Sequence, residues 1–236
     1  MKTKLCFSVV LAFVINVVFA GTYYVAPGGD NSGPGTESQP WLTIQHAANV
    51  MTAGDMVYIK AGTYNEMVHQ NINSGTNANY IIFSAFPGDE GNVIIDGTDI
   101  MVPDYTGLFY IDNVDYIKVS GLSIRNSKEA GIMIDFSTHI SINNCHMYNT
   151  HSSGIGVWNC SNIIVENNDI DHACMGNQGG AADIQECLTI SGTKDFEVKN
   201  NKVHDNTVNI LGGEGIDIKE ACENGKVYNN EVYDLM

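Results

Sequence analysis

A sequence repeat of ten residues, with the same order of apolar and polar positions, occurs five times in the C-terminal half of the chain. The copies are 115–124 (DYIKVSGLSI), 138–147 (THISINNCHM), 161–170 (SNIIVENNDI), 194–203 (KDFEVKNNKV) and 223–232 (ENGKVYNNEV). Each copy contains two short strand-like runs joined by Asn or Gly, residues that favour turns. The copies begin 23, 23, 33 and 29 residues apart. A period of this size predicts a solenoid of stacked coils.

Aligning the copies without gaps defines columns of equivalent positions. The apolar columns contain Val119, Ile142, Val165, Val198 and Val227, and then Ile124, Met147, Ile170, Val203 and Val232. A turn column contains Asn144, Asn167, Asn200 and Asn229, with Gly121 in the first copy. A third inward column contains Leu122, Cys145, Asn168, Asn201 and Asn230. Asn and Gly tolerate a left-handed backbone, so their column predicts stacked turns, and the apolar columns predict stacked strands. Together the columns predict an all-β fold, a parallel β-solenoid.

The first twenty residues have the pattern of an export signal. Lys2 and Lys4 precede an apolar run that ends at Ala20, a small residue of the kind found at cleavage sites. A membrane anchor is the alternative, but the run is short for a membrane span. We therefore predict a signal peptide over residues 1–20, a secreted, extracellular or periplasmic protein, and no stable membrane insertion after cleavage.

The next segment differs from the repeats and predicts a cap. Residues 21–66 contain an extended run, a loop rich in Gly and Pro, one face of a short helix and a first strand. The helical face consists of Leu42, Ile44, Ala47, Ala48 and Met51. A helix at this end would cover a sheet edge that could otherwise pair with another chain. Residues 67–236 form the coils, and we expect further coils to follow because no second cap comes after the last repeat.

Charge narrows the range of partners. The formal net charge is −16, and removal of Lys2 and Lys4 with the signal leaves 27 acidic and 9 basic residues, a charge of −18. Nucleic acid is therefore excluded as a probable partner. Such a protein acts on a neutral ligand, or binds an anionic one at a local site where metal ions or a few cations reverse the sign.

The mature chain has an odd number of cysteines, five, so at least one thiol is free. Cys174 and Cys187 flank the longest insertion in the repeat, and they are the one pair that we consider for a disulfide. Two free thiols are the alternative.

Segment 23–66 (YYVAPGGDNSGPGTESQPWLTIQHAANVMTAGDMVYIKAGTYNE) resembles the N-terminal cap and first coil of secreted proteins of the pectate lyase-like superfamily. This group contains pectate lyases, alginate lyases and chondroitinase B, and the Asn-Asn-x-Val coils resemble the same group. The resemblance implies a right-handed parallel β-helix with a short N-terminal helical cap. The scaffold hosts lyases, hydrolases, esterases, epimerases and non-catalytic adhesins, so the activity must be argued from the site.

The best candidate for chemistry is segment 212–222 (GGEGIDIKEAC). Its two isoleucines alternate as core residues, so Asp217 and Lys219 project outward together, with Glu214 just before the strand. One coil earlier, Glu186 aligns with Glu214. Oxygen-rich clusters of this kind suit calcium better than zinc.

In the alginate lyase and chondroitinase B family, an acid five positions before a lysine helps to bind calcium, and that lysine is the catalytic base. Glu214 and Lys219 match this spacing. The family's second acid falls here on Gly212, and its arginine would lie past Met236. The resemblance therefore implies Lys219 as the base and calcium as the cofactor. The calcium ligands would be Glu186, Glu214 and Asp217.

These residues suggest an extracellular lyase that cleaves an anionic, uronic acid polysaccharide by calcium-assisted β-elimination. Lys219 would act in its neutral form; alternatively it is a solvated lysine paired with Asp217 or Glu220. A non-catalytic carbohydrate-binding or cell-surface β-helix protein remains the rival function, because folding alone explains every repeat feature. The paired aspartates and Gly-His-Gly segment of polygalacturonase-type hydrolases are missing.

Three further features carry weaker signals. His204 aligns with Asp171, and His172 with Asp205, at the ends of adjacent coils. These pairs are candidates for a catalytic or metal role, or simply stacked turn residues. Trp158 could stack on a sugar ring or pack against the protein.

Overall fold

A computed structural model describes residues 20–176, 186–206 and 213–235. The predicted signal peptide lies outside these residues except for Ala20. No helix in the described ranges is long and apolar enough to cross a membrane.

The chain winds through three parallel sheets, with strands numbered here in chain order. Sheet 1 contains, in spatial order, β1 (Thr22–Val25), β2 (Met56–Ile59), β5 (Ile81–Ala85), β8 (Asp115–Ser120), β11 (Thr138–Asn143), β14 (Ser161–Glu166), β17 (Lys194–Lys199) and β20 (Lys226–Tyr228). Sheet 2 contains β3 (Gly62–Tyr64), β6 (Val93–Asp96), β9 (Ser123–Arg125), β12 (His146–Tyr148), β15 (Asp169–Asp171), β18 (Lys202–His204) and β21 (Glu231–Tyr233). Sheet 3 contains β4 (Val68–Gln70), β7 (Gly107–Asp112), β10 (Ala130–Asp135), β13 (Ile155–Trp158), β16 (Leu188–Ser191) and β19 (Ile216–Ile218).

Each coil passes from sheet 1 to sheet 2 to sheet 3 and then returns to sheet 1 beside the strand it left. This order confirms the predicted parallel β-helix, and parallel crossovers of this kind are right-handed. The register also agrees with the repeat alignment, since Ile142 pairs with Val119 and Val165, and Met147 pairs with Ile124 and Ile170.

The predicted apolar columns form the core. All members of both columns are fully buried as far as β18. Val227 and Val232 are exposed, because β20 and β21 are the outermost described strands of their sheets and nothing described packs on their outer side. Burial of each apolar position therefore depends on having a coil on both sides.

A short helix covers the N-terminal end, as predicted. Helix α1 spans Ile44–Val50, and the Thr43 side chain caps it by accepting a hydrogen bond from the His46 amide. The helix packs against β4. The prediction for Leu42 is wrong, because this residue does not belong to the buried face of the helix. Leu42 precedes the cap residue, its amide donates to Asn31 Oδ1, and it is 43% exposed.

The asparagine columns take two different roles. Asn144, Asn167, Asn200 and Asn229 have φ between 52° and 58°, which confirms the predicted left-handed turn column. The neighbouring inward residues Asn168, Asn201 and Asn230 form a ladder. Asn201 Oδ1 and Asn230 Oδ1 each accept hydrogen bonds from the backbone and side-chain amides of the asparagine one coil before, and Asn168 Oδ1 accepts one from the Cys145 amide. The ladder thus satisfies polar groups inside a core that water does not reach.

Asp96, the last residue of β6, anchors the outer surface of sheet 2. Its carboxylate accepts hydrogen bonds from the Thr98 amide and hydroxyl, from Asn126 Nδ2 and from Arg125 Nε. Burial alone would raise the pKa of Asp96, but these four hydrogen bonds outweigh it and hold the pKa well below its ordinary value.

We expect Asp96→Ala to lower the free energy of unfolding by about 2 kcal/mol at pH 7, since it removes all four hydrogen bonds. A carboxyl with a depressed pKa in the folded state stabilises the protein above its unfolded pKa of about 3.9 and loses that contribution as the pH falls. The difference between wild type and variant should therefore shrink between pH 5 and about pH 2. Urea unfolding across this range measures it, with exposed Asp104→Ala as the control. A difference that stays constant with pH would contradict this explanation.

Candidate functional site

Three of the four predicted site residues meet at the edge of sheet 3. Lys219 Nζ lies 2.6 Å from Glu186 Oε1 and 4.0 Å from Asp217 Oδ2. The Glu186 side chain is only 5% exposed, and its other oxygen accepts a hydrogen bond of 3.1 Å from Thr189 Oγ1. The Lys219 side chain remains 25% exposed, so the cluster opens to solvent through the lysine and Asp217.

Strand register explains why these side chains meet. Thr189 pairs with Asp217 on the outer face of sheet 3, between two inward-facing pairs of apolar residues. The Lys219 amide then donates to the Ile190 carbonyl, which places Lys219 beside Ser191. The predicted outward direction of Asp217 and Lys219 agrees with this arrangement. Ile218 faces inward as predicted but is 38% exposed, because β19 is the outermost described strand of its sheet.

Glu214 occupies the predicted position but not the cluster. Its carbonyl accepts a hydrogen bond from the Cys187 amide, so it lies one coil beyond Glu186. Its side chain is exposed, and none of the ion pairs among the described residues includes it. A metal role for Glu186, Glu214 and Asp217 stays a prediction.

The ion pair between Lys219 and Glu186 is the central contact of the cluster. The Lys219 ammonium offsets the charge of a buried carboxylate, which would be costly to leave unpaired. Lys219 cannot accept a proton while it holds this ion pair as an ammonium.

A second cluster lies on the outer surface of sheet 2. Asp171, His204 and Asp205 place one ligand atom each within 4.8 Å of one another. His204 Nδ1 lies 2.7 Å from Asp205 Oδ2 and 3.9 Å from Asp171 Oδ1, while Nε2 lies 2.7 Å from Asp169 Oδ1. His172 also contacts Asp171 through Nδ1. Within the described ranges, this is the one group of three His, Cys, Asp or Glu residues close enough to share a metal ion.

The imidazole of His204 is held on three sides. Its ring stacks on Tyr233 with centroids 4.9 Å apart and planes nearly parallel. Partial burial alone would lower the pKa of His204, but the hydrogen bonds to Asp205 and Asp169 and the charge of Asp171 raise it overall. The cluster therefore favours a positive group at its centre.

The alignment of His204 with Asp171 is confirmed by the strand register. The sequence did not indicate how far the side chains converge. Asp169 is two residues before Asp171 and points to the same outer face, so alternation along β15 was the signal that could have added it.

The two clusters lie at opposite ends of the same connections. Asp171 and His204 end strands of sheet 2. In sheet 3, Glu186 lies two residues before β16 and Asp217 is the second residue of β19. The connecting residues are 172–187 and 205–215, and their central parts lie outside the described residues.

Cys174 and Cys187, considered for a disulfide, are free and buried thiols in the structure. Their side chains hydrogen-bond to each other, and this contact together with burial raises the pKa of Cys174 well above its ordinary value. The same contact lowers the pKa of Cys187, so of the two thiols only Cys174 is held firmly in its protonated, unreactive form.

Comparison with known proteins identifies the family of the chain. A family model described as "Pel9A-like, right handed beta helix region" matches residues 23–184. An uncharacterized protein of Bacillus subtilis, YwoF, is 32% identical over 92% of this chain and 51% of its own length. Pectate lyase PEL9 of Emericella nidulans is 35% identical over 39% of this chain and 22% of its own. The chain thus spans about half the length of the first relative and less of the second.

Solved structures with the same fold are more distant in sequence. Pectate lyase Pel9A has a TM-score of 0.62 over 91% of this chain and 64% of its own. An alginate lyase from Paenibacillus has a TM-score of 0.58 over 90% and 76% of the two chains. Both are 18% identical to this chain, a level that establishes the shared fold alone.

Proposed function

The chain belongs to the family of Pel9A-like right-handed β-helix proteins, and from this membership we propose that it is an extracellular polysaccharide lyase. It cleaves an anionic polymer of uronic acids by calcium-assisted β-elimination, with Lys219 as the base. The matching relatives named as lyases act, by their names, on pectate, alginate and rhamnogalacturonan. A signal peptide over residues 1–20 would bring the protein to such polymers.

The observation that carries this proposal is the position of Lys219. Its amine lies on the outer face of sheet 3, partly exposed, with two carboxylates within 4.0 Å. An exposed lysine at a random surface position would not have a buried glutamate as its partner. β-Elimination from a uronate needs a base and a cation close together. Lys219 would be the base, and the carboxylates that now bind its ammonium could bind calcium instead.

In the proposed reaction, the neutral Lys219 amine takes the proton from the carbon next to the substrate carboxylate. The electron pair of that C–H bond forms a carbon–carbon double bond to the neighbouring carbon, and the glycosidic C–O bond at that carbon breaks. The leaving oxygen takes up a proton from solvent water, which yields a new hydroxyl end and an unsaturated uronate end. Lys219 then returns the abstracted proton to solvent.

Glu186 and Asp217 govern whether Lys219 can do this. In their present arrangement they bind the ammonium. Carboxylate oxygens are the ligands that calcium prefers, so the donor set fits this ion. Bound calcium would neutralise the substrate carboxylate and stabilise the negative charge that develops on it.

The second cluster offers another set of ligands for a cation. Asp171 and Asp205 supply carboxylate oxygens within 4.8 Å of a His204 nitrogen. Imidazole suits calcium less well than oxygen does, but the flanking acids already favour a positive charge at this position. A cation at either cluster would help an acidic protein of net charge −16 to bind an anionic polymer.

The proposal is tested on the protein as it is secreted, with a panel of pectate, alginate and rhamnogalacturonan polymers. We expect absorbance from unsaturated ends to appear with at least one polymer, and chelation to lower the rate by about 100-fold. Added calcium should restore the rate, and magnesium is the control cation. An undiminished rate in chelator would exclude calcium assistance.

Two matched variants locate the cation. Asp217→Asn should raise the calcium concentration needed for half-maximal activity if the sheet 3 cluster holds the ion. Asp205→Asn should do so if the sheet 2 cluster holds it. If no polymer yields unsaturated ends, the lyase proposal is wrong, and non-catalytic binding of carbohydrate becomes the better explanation of the site.

A further inference from the structure

Trp158 lies on the same outer face and in the same column as Lys219. It ends β13 and pairs with Asp135 on one side and with Ser191 on the other. Lys219 follows next, because its amide donates to Ile190, the residue before Ser191. Strands in a sheet are about 4.8 Å apart, so the backbones at Trp158 and Lys219 are separated by about 10 Å.

The indole of Trp158 is partly exposed and lies near the Met133 side chain, above Gly156. A Cβ built on Gly156, in the adjacent outward column, would sit 3.6 Å from Trp158 Nε1 and 2.8 Å from Met133 Sδ. Gly156 therefore makes room for the Met133 side chain, whereas Trp158 Nε1 would only be in ordinary van der Waals contact with such a Cβ. Among the described parts of the chain, no acceptor lies within hydrogen-bonding reach of Trp158 Nε1.

The other tryptophan shows the contrast. Trp41 is buried in the N-terminal cap, stacks on Tyr23 with centroids 4.6 Å apart, and donates from Nε1 to the Gly33 carbonyl at 3.0 Å. Trp41 thus has the packed face and satisfied donor of a structural tryptophan. Trp158 has neither.

Polar groups flank Trp158 along the column. On one side, the Asp135 carboxylate accepts a hydrogen bond of 3.2 Å from Tyr110 Oη and can accept others. On the other side, Ser191 Oγ donates to Glu220 Oε2 at 3.2 Å. An apolar ring between hydroxyl and carboxylate groups matches the alternating apolar faces and hydroxyl edges of a pyranose.

We propose that Trp158 is a sugar-binding platform that stacks on a pyranose ring of the polymer, two strands from the ring that meets Lys219. This inference rests on the proposed function, because it assigns the polymer a path along the outer face of sheet 3. Trp158 acts as a positioning residue: it fixes the register of the polymer over the base and takes no part in proton transfer.

Fluorescence tests the contact directly, since Trp158 and Trp41 are the only tryptophans in the chain. The probes are oligosaccharides of three to six units prepared from pectate and from alginate. They are added to Lys219→Arg protein so that turnover is slow on the timescale of the titration. We expect a saturable change in emission, and we expect it to disappear in Lys219→Arg/Trp158→Phe, where only the buried Trp41 remains.

Kinetics separates positioning from folding. Trp158→Ala should raise KM by about tenfold with little change in kcat, and Trp158→Phe should recover most of that loss because it keeps an aromatic face. An unchanged KM in Trp158→Ala, with cleavage intact and no emission change, would overturn the platform and leave the lyase proposal standing. Trp158-dependent emission changes without cleavage of any polymer would support the platform and reject the lyase proposal.

Discussion

Lys219→Arg is expected to lower the elimination rate by about 100-fold to 10,000-fold, the usual contribution of a positioned general base. Arginine keeps the positive charge that the buried Glu186 requires, but it is never deprotonated in proteins and so cannot accept a proton. The substitution therefore removes the base and keeps the ion pair. Initial rates of formation of unsaturated ends, measured with calcium at saturation, give the comparison.

Alanine at the same position is a weaker test, because it leaves Glu186 buried without its partner. Loss of activity in Lys219→Ala could then come from unfolding, since breaking a buried ion pair costs about 3–5 kcal/mol. Lys199→Ala is the matched control: this lysine also pairs with two acids, Glu166 and Glu197, but in sheet 1. If Lys219→Arg retains the wild-type rate, Lys219 is a structural partner of Glu186 and the base lies elsewhere.

Asn201→Ala is expected to lower the free energy of unfolding by roughly 3 to 5 kcal/mol. The Asn201 side chain accepts from both amides of Asn168 and donates to the Val165 carbonyl and to Asn230 Oδ1, each at 3.0 Å. Alanine would leave several of these groups buried without partners, and it would interrupt the ladder between two coils. Urea unfolding followed by circular dichroism measures the loss.

The neighbouring position provides the control. Asn200 has a left-handed backbone with φ of 56° in the turn column, where glycine is equally suited. Asn200→Gly should therefore change stability by a few tenths of a kcal/mol only. If Asn201→Ala costs no more than Asn200→Gly, the buried ladder contributes little and the apolar columns alone hold the coils together.

The sequence predicted most of the fold because a solenoid repeats one local pattern. Apolar columns, an asparagine turn and the repeat spacing determine the register, and a slip by one residue would expose every valine in a column. Exposure of the outermost strands could not be predicted from those columns. Ile218 has the same pattern as Ile190, yet it lacks a described strand on its outer side.

The sequence predicted less of the candidate site. Alternation along β19 was enough to turn Asp217 and Lys219 outward, and coil alignment put Glu186 near them. The choice of Glu186, and not Glu214, as the partner of Lys219 depends on side-chain conformations that no repeat determines. The same limit applies to His204, whose two nitrogens reach carboxylates on its own coil and on the previous one.

The lengths of the connections between strands have a consequence for how such a protein can diversify. From Ser120 onward, sheet 1 and sheet 2 are joined by two residues in every coil, whereas the connections from sheet 2 to sheet 3 lengthen from 126–129 to 172–187. Insertions at this one corner leave the stack unchanged, and both charged clusters lie at its ends. For the proposed lyase, we therefore expect that a relative's segment grafted onto 172–187 would change the preferred polymer and leave the coil register unchanged.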